Sequence, residues 1–536
     1  MIFLDRLVIG ILLIASIGCS SETNPKESHE NVFRYNVYGG ISSLDPAFAR
    51  NPRNIWPVNQ MFNGLVQLNS QLEVVPEIAS SWDISPDGLQ YTFYLREDVW
   101  FHSSPLFGSQ KTRRVQASDF VYSLDRLKDP KVGSPGGWVL NSVDSYKALN
   151  SFTFQIQLKH PFPAFLGLLS MRYCSVVPKE VVEKHPTEFR NHPIGTGPFY
   201  FKRWEEEVKL VLRKNPRYFE TDSTGTQLPY LEAVSIRFIE DLQSEFLLFM
   251  QGELDFLNSL DASYKDELLN PDGSLRDKYV DQLQIIKGPY LNTEYIGFYL
   301  DQKNPAVQSS QIRKAINIGF DRKKMLRYLR NNIGSEAKRG FIPKGLGGSS
   351  SRPWVYAPEE ARKLVEEFKQ IHGITPSLRL ATDSNYLDIC EFLQRELQKI
   401  GIQIQIDLMP PATLRQAKSS GKLELFRASW IADYPDAENY LSLFYSPNFT
   451  PSGPNYTHFR SDLFDQNYQQ AMNTVSTTQR QQMYRSMDSL LMESYPIVPL
   501  YYDEVIQFIP KHLKGLEPNP INLLHLKNVF KIKNRP

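Results

Sequence analysis

The sequence predicts an α/β protein made of two or three lobes. The chain has 536 residues, far more than a single hydrophobic core usually organises. Residues 377–408 follow the order strand, helix, strand, and short strands with alternating apolar residues recur in the first half of the chain. Hydrophobic residues make up 41% of the sequence, as in ordinary globular proteins.

Alternation of apolar and polar residues marks the strands of the first half. It predicts strands at residues 32–38, 91–95, 153–158 and 234–239. Residues 199–214 predict a hairpin whose tip is the acidic run Glu205-Glu206-Glu207. A helix is predicted from residue 243 to Gly252, where the glycine ends it.

The second half contains the predicted strand–helix–strand unit. Its strands are residues 377–381 and 402–408, its helix is residues 386–400, and the crossover rule predicts parallel strands with a right-handed connection. A helix at residues 358–371 precedes the unit, with proline in its first turn.

Asp433 is the residue whose position is most suggestive of binding. The apolar run 423–429 predicts a buried strand, and residues 437–445 predict a helix capped by Asp436. Asp433 therefore lies between a strand and a helix, beside large aromatic residues, where a carboxylate suits capture of a cation such as a ligand amino group. The alternative is that Asp433 only satisfies local backbone donors, as Asp does at many turns.

The N-terminus has the features of a secretory signal. An apolar run from Leu7 to Gly18 follows Arg6, is too short to span a bilayer, and precedes Cys19. Ser16-Ile17-Gly18-Cys19 resembles a lipobox with Ser where Leu is usual, which implies a lipoprotein signal peptide at 1–19 and acylation of Cys19. The polar segment 20–30 then predicts a flexible tether. The alternative is an ordinary cleaved signal with a stray cysteine.

Composition and motifs exclude several classes of protein. The net charge of +1 argues against a nucleic-acid partner. Cys174 and Cys390 are expected to be buried thiols, although their pairing cannot be read from the sequence. The chain has no G-x-S-x-G elbow, H-E-x-x-H motif, P-loop or dinucleotide fingerprint. His185 and His192 lack zinc spacing, so we predict no enzyme, no cofactor and no metal site.

Several segments match, in order, one family of binding proteins. The segments are Asn63-Gly64-Leu65-Val66, Pro76-Glu77-Ile78-Ala79-Ser80-Ser81-Trp82, Ser85-Pro86-Asp87-Gly88, Pro193-Ile194-Gly195-Thr196-Gly197-Pro198-Phe199, Asn215-Pro216-Arg217-Tyr218-Phe219, Ile312-Arg313-Lys314-Ala315-Ile316 and Arg427-Ala428-Ser429-Trp430-Ile431-Ala432-Asp433-Tyr434. From about Phe33 to Tyr502 the chain resembles the oligopeptide- and dipeptide-binding lipoproteins of ABC importers (family 5).

The resemblance implies a fold of the periplasmic-binding-protein type. Two α/β lobes joined by a hinge close over the ligand, and an extra subdomain is inserted into the first lobe. The chain crosses between the lobes near residues 290 and 502. The implied ranges are lobe I at 31–58, 191–290 and 503–536, the inserted subdomain at 59–190, and lobe II at 291–502.

The resemblance also implies roles for individual residues. In the family, the Asp of a W-x-A-D-Y segment pairs with the peptide α-amino group, and the matching residues here are Asp433 and its neighbour Tyr434. An Arg three positions before the Trp can meet the peptide carboxylate, which corresponds to Arg427. Candidates for main-chain pairing with an extended peptide are Ser429-Trp430-Ile431 in lobe II and Gly40-Ile41-Ser42 in lobe I. Trp430 and Trp138 are candidates for lining side-chain pockets.

The implied partners are a short peptide, the permease subunits of an ABC importer, and a membrane reached through the lipid anchor in the cell envelope. The protein is expected to be a monomer. Other solutes on the same fold stay open: a nickel chelate, haem, an oligosaccharide or a signalling peptide. Asp433 favours an amine-bearing ligand among them. An envelope hydrolase is the alternative from another class.

Overall fold

The computed structural model describes residues 31–186, 188–258, 261, 264–350 and 353–532. The predicted signal peptide with Cys19, and the predicted tether, lie outside these residues. Within the described part of the chain, no helix is long and apolar enough to cross a membrane.

The strands are numbered in chain order. They are β1 (Val32–Asn36), β2 (Val66–Leu68), β3 (Val74–Pro76), β4 (Ala79–Ile84), β5 (Gln90–Leu95), β6 (Val143–Asn150), β7 (Thr153–Leu158), β8 (Phe199–Glu205), β9 (Lys209–Lys214), β10 (Ala233–Arg237), β11 (Leu257–Asn258), β12 (Leu283–Phe298), β13 (Ser335–Glu336), β14 (Ser377–Thr382), β15 (Gln403–Leu408), β16 (Leu425–Ile431), β17 (Ile497–Pro510), β18 (Leu513–Lys514) and β19 (Phe530–Lys531).

The α-helices are numbered in the same way. They are α1 (Pro52–Met61), α2 (Ala117–Lys128), α3 (Phe165–Leu169), α4 (Lys179–Lys184), α5 (Leu242–Met250), α6 (Lys265–Leu268), α7 (Pro305–Gln308), α8 (Ser310–Ile318), α9 (Arg322–Arg330), α10 (Pro358–His372), α11 (Leu387–Gln398), α12 (Pro411–Ser419), α13 (Glu438–Leu441), α14 (Asp462–Met472) and α15 (Thr477–Ser494).

Three sheets organise the molecule. The first sheet has the order β1-β10-β9-β8, and β1 and β10 are parallel. The inserted sheet has the order β4-β5-β7-β6 and is antiparallel throughout. The large sheet has the order β11-β17-β12-β16-β14-β15, with β13 on β17. This mixture of parallel and antiparallel sheets with packed helices confirms the predicted α/β class.

Strands β12 and β17 pair along most of their length and connect two hydrophobic cores. At one end, Ile509 packs in the core of the first sheet. At the other end, Ile296 and Val498 pack in the core of the large sheet. The register of the pair shifts between Pro289 and Thr293, beside the predicted crossing near residue 290. The lobe boundaries themselves stay a prediction.

Several local predictions are confirmed. The predicted strand–helix–strand unit is β14, α11 and β15, and β14 and β15 are parallel, with Ser377 opposite Gln403. The predicted hairpin is β8 and β9. Cys174 and Cys390 are both buried and unpaired, as expected.

Two local predictions differ from the structure around the candidate site. The strand predicted at 423–429 is observed as β16, two residues later, because Trp430 and Ile431 continue the pairing with β12. The helix predicted at 437–445 is only the single turn α13. The following residues turn more tightly, and the Phe444 N–H bonds to the Leu441 carbonyl.

Candidate functional site

Strand β16 carries the candidate binding segment to an open edge of the large sheet. It is paired along its length with β12, from Leu425 to Ile431. On its other side, β14 pairs with it only at Leu425 and Phe426. Among the described strands, none pairs with that side of β16 from Arg427 onward. Ser429, Trp430 and Ile431 therefore lie on a sheet edge with free backbone groups.

Asn439 holds the loop that follows β16. Its Oδ1 accepts a hydrogen bond from Trp430 Nε1 at 2.9 Å and from the Asp433 backbone N–H at 3.2 Å. The Asn439 side chain also hydrogen-bonds the Asp433 carboxylate. One buried amide thus fixes both the indole and the acid, because it uses its acceptor and its donor at once.

Glu438 anchors the same loop from beneath. Its carboxylate accepts hydrogen bonds from the hydroxyl groups of Tyr434 and Tyr468. Its backbone N–H donates to Asp436 Oδ1 at 2.9 Å, and Asp436 lies 3.4 Å from Arg480. Tyr434 is 5% exposed, and its ring meets Phe162 near the inserted sheet. Its side chain is therefore part of the support for Asp433.

Asp433 is open to solvent but crowded by protein. Its residue surface is exposed, yet burial raises the pKa of its carboxyl, and the hydrogen bond from Asn439 opposes that rise. No cationic side chain of the described residues lies within 4.0 Å of it. A partly desolvated carboxylate without a charge partner favours an added cation beside it.

Two residues far from Asp433 in sequence, Arg50 and Tyr173, act on the same region. Burial raises the pKa of Tyr173 to about 12, while Arg50 lowers it and the Asp433 carboxylate raises it further. These effects place Arg50, Tyr173 and Asp433 near one another. Gly136 packs against the Tyr173 ring so closely that a Cβ would clash. Trp138 follows in the next turn and is 39% exposed.

Arg427 differs from Asp433 because it already has a partner. It is 7% exposed, pairs with the buried carboxylate of Glu294, and lies over the Tyr386 ring. Burial opposes the charged guanidinium, but Glu294 and Tyr386 hold the pKa of Arg427 above its usual value.

The pair belongs to a wider network on β12 and β17. Asn292 Nδ2 donates to Glu294 Oε1 at 3.0 Å. Asp503 lies 2.6 Å from Arg330. The network holds two guanidinium groups and two carboxylates, so its charges balance.

Lys418 on α12 is a cation of a different kind. Its Nζ lies 4.5 Å from the centre of the Tyr456 ring. Burial lowers the pKa of Lys418 to about 8, and Arg427 and Arg415 lower it further. No carboxylate of the described residues pairs with it within 4.0 Å. Arg50 lowers the pKa of the Tyr456 phenol as well as that of Tyr173, so one cation acts both on the ring beside Lys418 and on a ring near Asp433.

The structure brings together some of the predicted site residues but not all. Trp430, Asp433 and Tyr434 meet at Asn439 and Glu438. Ile41 lies apart in the core of the first sheet, with a side chain that is 9% exposed. No hydrogen bond in the described part of the chain engages its backbone N–H or carbonyl, so only the main chain of Ile41 is available to a ligand.

Sequence reasoning missed the supporting residues Glu294, Lys418, Glu438 and Asn439. Glu438 and Asn439 follow Asp433 closely and lie in the helix predicted at 437–445, where polar side chains carry no special signal. Glu294 is far from Arg427 in sequence. Only the pairing of β12 with β16, which places Glu294 opposite Ser429, brings it near.

Comparison with known proteins identifies the family. The model of the bacterial extracellular solute-binding proteins, family 5 Middle, matches residues 73–452. The glutathione-binding protein GsiB of Escherichia coli (strain K12) is 24% identical over 488 residues, which cover 89% of this chain and 90% of that protein.

Solved structures share the fold. DppA from Helicobacter pylori, an ABC transporter-associated periplasmic binding protein in complex with the peptide STSA, has a TM-score of 0.77 and 23% identity, covering 94% of this chain and 99% of that chain. The Escherichia coli murein tripeptide binding protein MppA has a TM-score of 0.75 and 24% identity over the same shares. The two-lobed architecture is thereby confirmed. This chain belongs to the family 5 bacterial extracellular solute-binding proteins, the transport-associated binding proteins of ABC importers.

Proposed function

We propose that this protein captures short peptides by their free α-amino group and delivers them to the permease of an ABC importer. The observation that carries the proposal is Asp433. Its carboxylate is held by Asn439, is partly desolvated and lacks a cationic partner among the described residues. An ammonium group would supply the missing charge, and removing either member of a desolvated ion pair leaves the other charge buried and unpaired, which is costly.

The peptide backbone is proposed to pair with main-chain groups of two segments. The free edge of β16 at Ser429–Ile431 and the unengaged backbone of Ile41 support this. Main-chain pairing contributes affinity without reading side chains. Trp430 and Trp138 supply apolar surface for the side chains next to the amine.

Closure is proposed to occur about β12 and β17. The supporting observation is the register shift between Pro289 and Thr293, where Thr293 again pairs with Tyr502. A local break in a long strand pair is a natural place for bending. On this proposal the lobes are those of the predicted boundaries, and ligand contacts to both lobes favour the closed state.

Anchoring through an acylated Cys19 is part of the proposal, and a Cys19→Ser substitution tests it. The variant should move from the membrane fraction to the soluble fraction. A variant that stays in the membrane fraction would refute the anchor while leaving the binding proposal intact.

Calorimetric titration with a peptide and its N-acetylated twin tests the binding proposal. Asp433→Asn should weaken binding of the free peptide by roughly a hundredfold or more, since removing one member of a buried ion pair costs about 3–5 kcal/mol. Wild type should bind the acetylated peptide poorly, and the variant should discriminate little between the two.

Asp436→Asn is the matched control. Asp436 is a neighbouring carboxylate that already pairs with Arg480 and caps Glu438. Its loss should lower thermal stability and leave the preference for the free amine in place. If Asp433→Asn binds the free peptide as wild type does, Asp433 is only a turn residue. If a broad peptide library fails to bind while a glycan or another amine-free solute binds, the peptide proposal is wrong.

A further inference from the structure

Three side chains with metal-binding chemistry converge at the end of α4, on the part of the chain between the inserted sheet and the first sheet. His185 follows the last residue of the helix, and Glu188 and His192 flank a short 3₁₀ turn at Phe189–Asn191. One potential ligand atom from each residue lies within 4.8 Å of the other two. None of the three has a role in the proposed peptide site.

The geometry of the cluster centres on one carboxylate oxygen. Glu188 Oε2 lies 3.9 Å from His185 Nδ1 and 3.9 Å from His192 Nε2. The two imidazole rings lie face to face, with centroids 4.5 Å apart and planes inclined by 26°. Ligand atoms around a tetrahedral zinc ion are about 3.4 Å apart, given bonds of about 2.0–2.1 Å. Each side chain would thus move inward by roughly an ångström or less.

The side chains are free to make that movement, whereas their backbone is fixed. Their exposed fractions are 28% for His185, 66% for Glu188 and 50% for His192. Neither imidazole makes a hydrogen bond with another described residue. The His185 N–H bonds to the Val181 carbonyl, the Glu188 N–H to the His185 carbonyl, and the His192 N–H to the Phe189 carbonyl. A preordered backbone reduces the entropy lost when the ligands assemble.

We propose that His185, Glu188 and His192 bind one divalent transition-metal ion of the zinc type. Two imidazole nitrogens and one carboxylate oxygen suit Zn²⁺, and three protein ligands leave a fourth position for water. Mg²⁺ prefers oxygen ligands in octahedral geometry and should not bind. The sequence did not predict this site because the spacing of the two histidines alone is not that of a zinc motif. The third ligand is the carboxylate between them, and the turn brings both rings to it.

The ion would brace a segment that supports the first lobe. Phe189 is buried in the core of the first sheet. The Arg190 carbonyl accepts a hydrogen bond from the Leu44 N–H, and Arg190 Nη1 donates to the Ser42 carbonyl at 3.1 Å. Joining His185 to His192 through a metal therefore stiffens the turn that contains Arg190, and Arg190 contacts residues 42–44. Because the ion binds the folded chain, Zn²⁺ should raise the thermal midpoint.

Titration of the chelator-treated full chain with Zn²⁺ tests the site. Wild type should bind one equivalent with a rise in thermal midpoint, and Mg²⁺ should do neither. His185→Ala, His192→Ala and the shape-conserving Glu188→Gln should each weaken Zn²⁺ binding by at least roughly tenfold, since even outer-shell changes cost that much. Their metal-free thermal midpoints should stay close to wild type, because Glu188 and His192 are exposed and His185 is only partly buried.

His160→Ala removes an exposed histidine outside the cluster and should bind Zn²⁺ as wild type does, as should Asp433→Asn. Zn²⁺ binding of unchanged affinity in a His185→Ala/His192→Ala double variant would overturn the proposal, and so would a wild-type chain that binds no Zn²⁺. Neither result bears on the peptide site.

Discussion

Asp433 and Arg427 lie on the same segment, β16 and the loop that follows it, and bear opposite charges, yet their environments differ in kind. Arg427 is buried, paired with Glu294 and covered by Tyr386. Asp433 is open to solvent, held by a neutral amide, and lacks a cationic partner among the described residues. A charge that is paired inside the fold contributes to structure, whereas a partly desolvated charge without a partner is available to a ligand.

The largest effect should come from breaking the matched pair. Glu294→Gln leaves the Arg427 guanidinium buried without its counter-charge, which should lower the free energy of unfolding by about 3–5 kcal/mol. Asp433→Asn should change it little in the absence of ligand, because water already reaches that carboxylate. Urea denaturation of the two variants and wild type measures the difference.

The double variant Glu294→Met/Arg427→Met sharpens this test. Replacing both charges by apolar side chains leaves neither one unpaired, so the double variant should be more stable than Glu294→Gln alone. Equal losses for Glu294→Gln and Asp433→Asn would show that the two sites do not differ as described.

A second test concerns the buried acid beneath Asp433. Burial raises the pKa of Glu438 from 4.5 to about 6, against the lowering effect of the Tyr434 and Tyr468 hydroxyl groups. A raised acid pKa means that the folded state binds the proton more tightly than the unfolded state. Its contribution to stability is therefore present below about pH 4.5 and lost as the pH rises through 6.

The Glu438→Gln variant isolates this contribution. Wild type should lose about 2 kcal/mol more stability than the variant between pH 4 and 7, since one pKa unit corresponds to ~1.4 kcal/mol. Chemical denaturation across that range measures the two slopes. Parallel curves would mean that Glu438 titrates as an ordinary surface acid, and that the loop is not anchored by a buried carboxyl group.

The site was partly predictable from the sequence, and the difference between Asp433 and Arg427 explains which part. Asp433 and β16 are local features: an apolar run, then an acid before a turn. The ion pair of Arg427 depends on Glu294, and only the pairing of β12 with β16 brings Glu294 close to it. Arg427 is predicted from sequence as a ligand for the peptide carboxylate because the sequence does not show that Glu294 pairs with it. The cluster around Glu188 was missed for a related reason, since a turn rather than a motif assembles it.

The third prediction asks which cation meets the far end of the peptide. Arg427 already pairs with a carboxylate, whereas Lys418 does not. Lys418→Met should therefore weaken binding of a free-acid peptide about tenfold, because losing a hydrogen bond to a charged group costs ~1.4 kcal/mol. The variant should bind the C-terminally amidated peptide as wild type does. Because the pKa of Lys418 is about 8, wild-type preference for the free acid should fade above that pH. Calorimetry with both peptides at pH 7 and 9 measures it.

Arg427→Lys provides the comparison for that experiment. If the preference for the free acid survives in Lys418→Met but is lost in Arg427→Lys, the carboxylate is read by Arg427 despite its pairing with Glu294. Arg427 and not Lys418 would then bind the peptide carboxylate.

The smallest expected effect concerns the indole that shares Asn439 with Asp433. Trp430→Phe keeps an aromatic ring but removes the Nε1–H that donates to Asn439 Oδ1 at 2.9 Å. One neutral hydrogen bond contributes ~1 kcal/mol, so binding of the free peptide should weaken roughly fivefold. The loss should be smaller for the acetylated peptide, because the indole acts on the amine through the amide that orients Asp433. Calorimetry with both peptides separates the two effects. A uniform loss for both would mean that Trp430 serves only as a contact surface, and that Asp433 keeps its orientation through its backbone N–H and the Glu438 anchor alone.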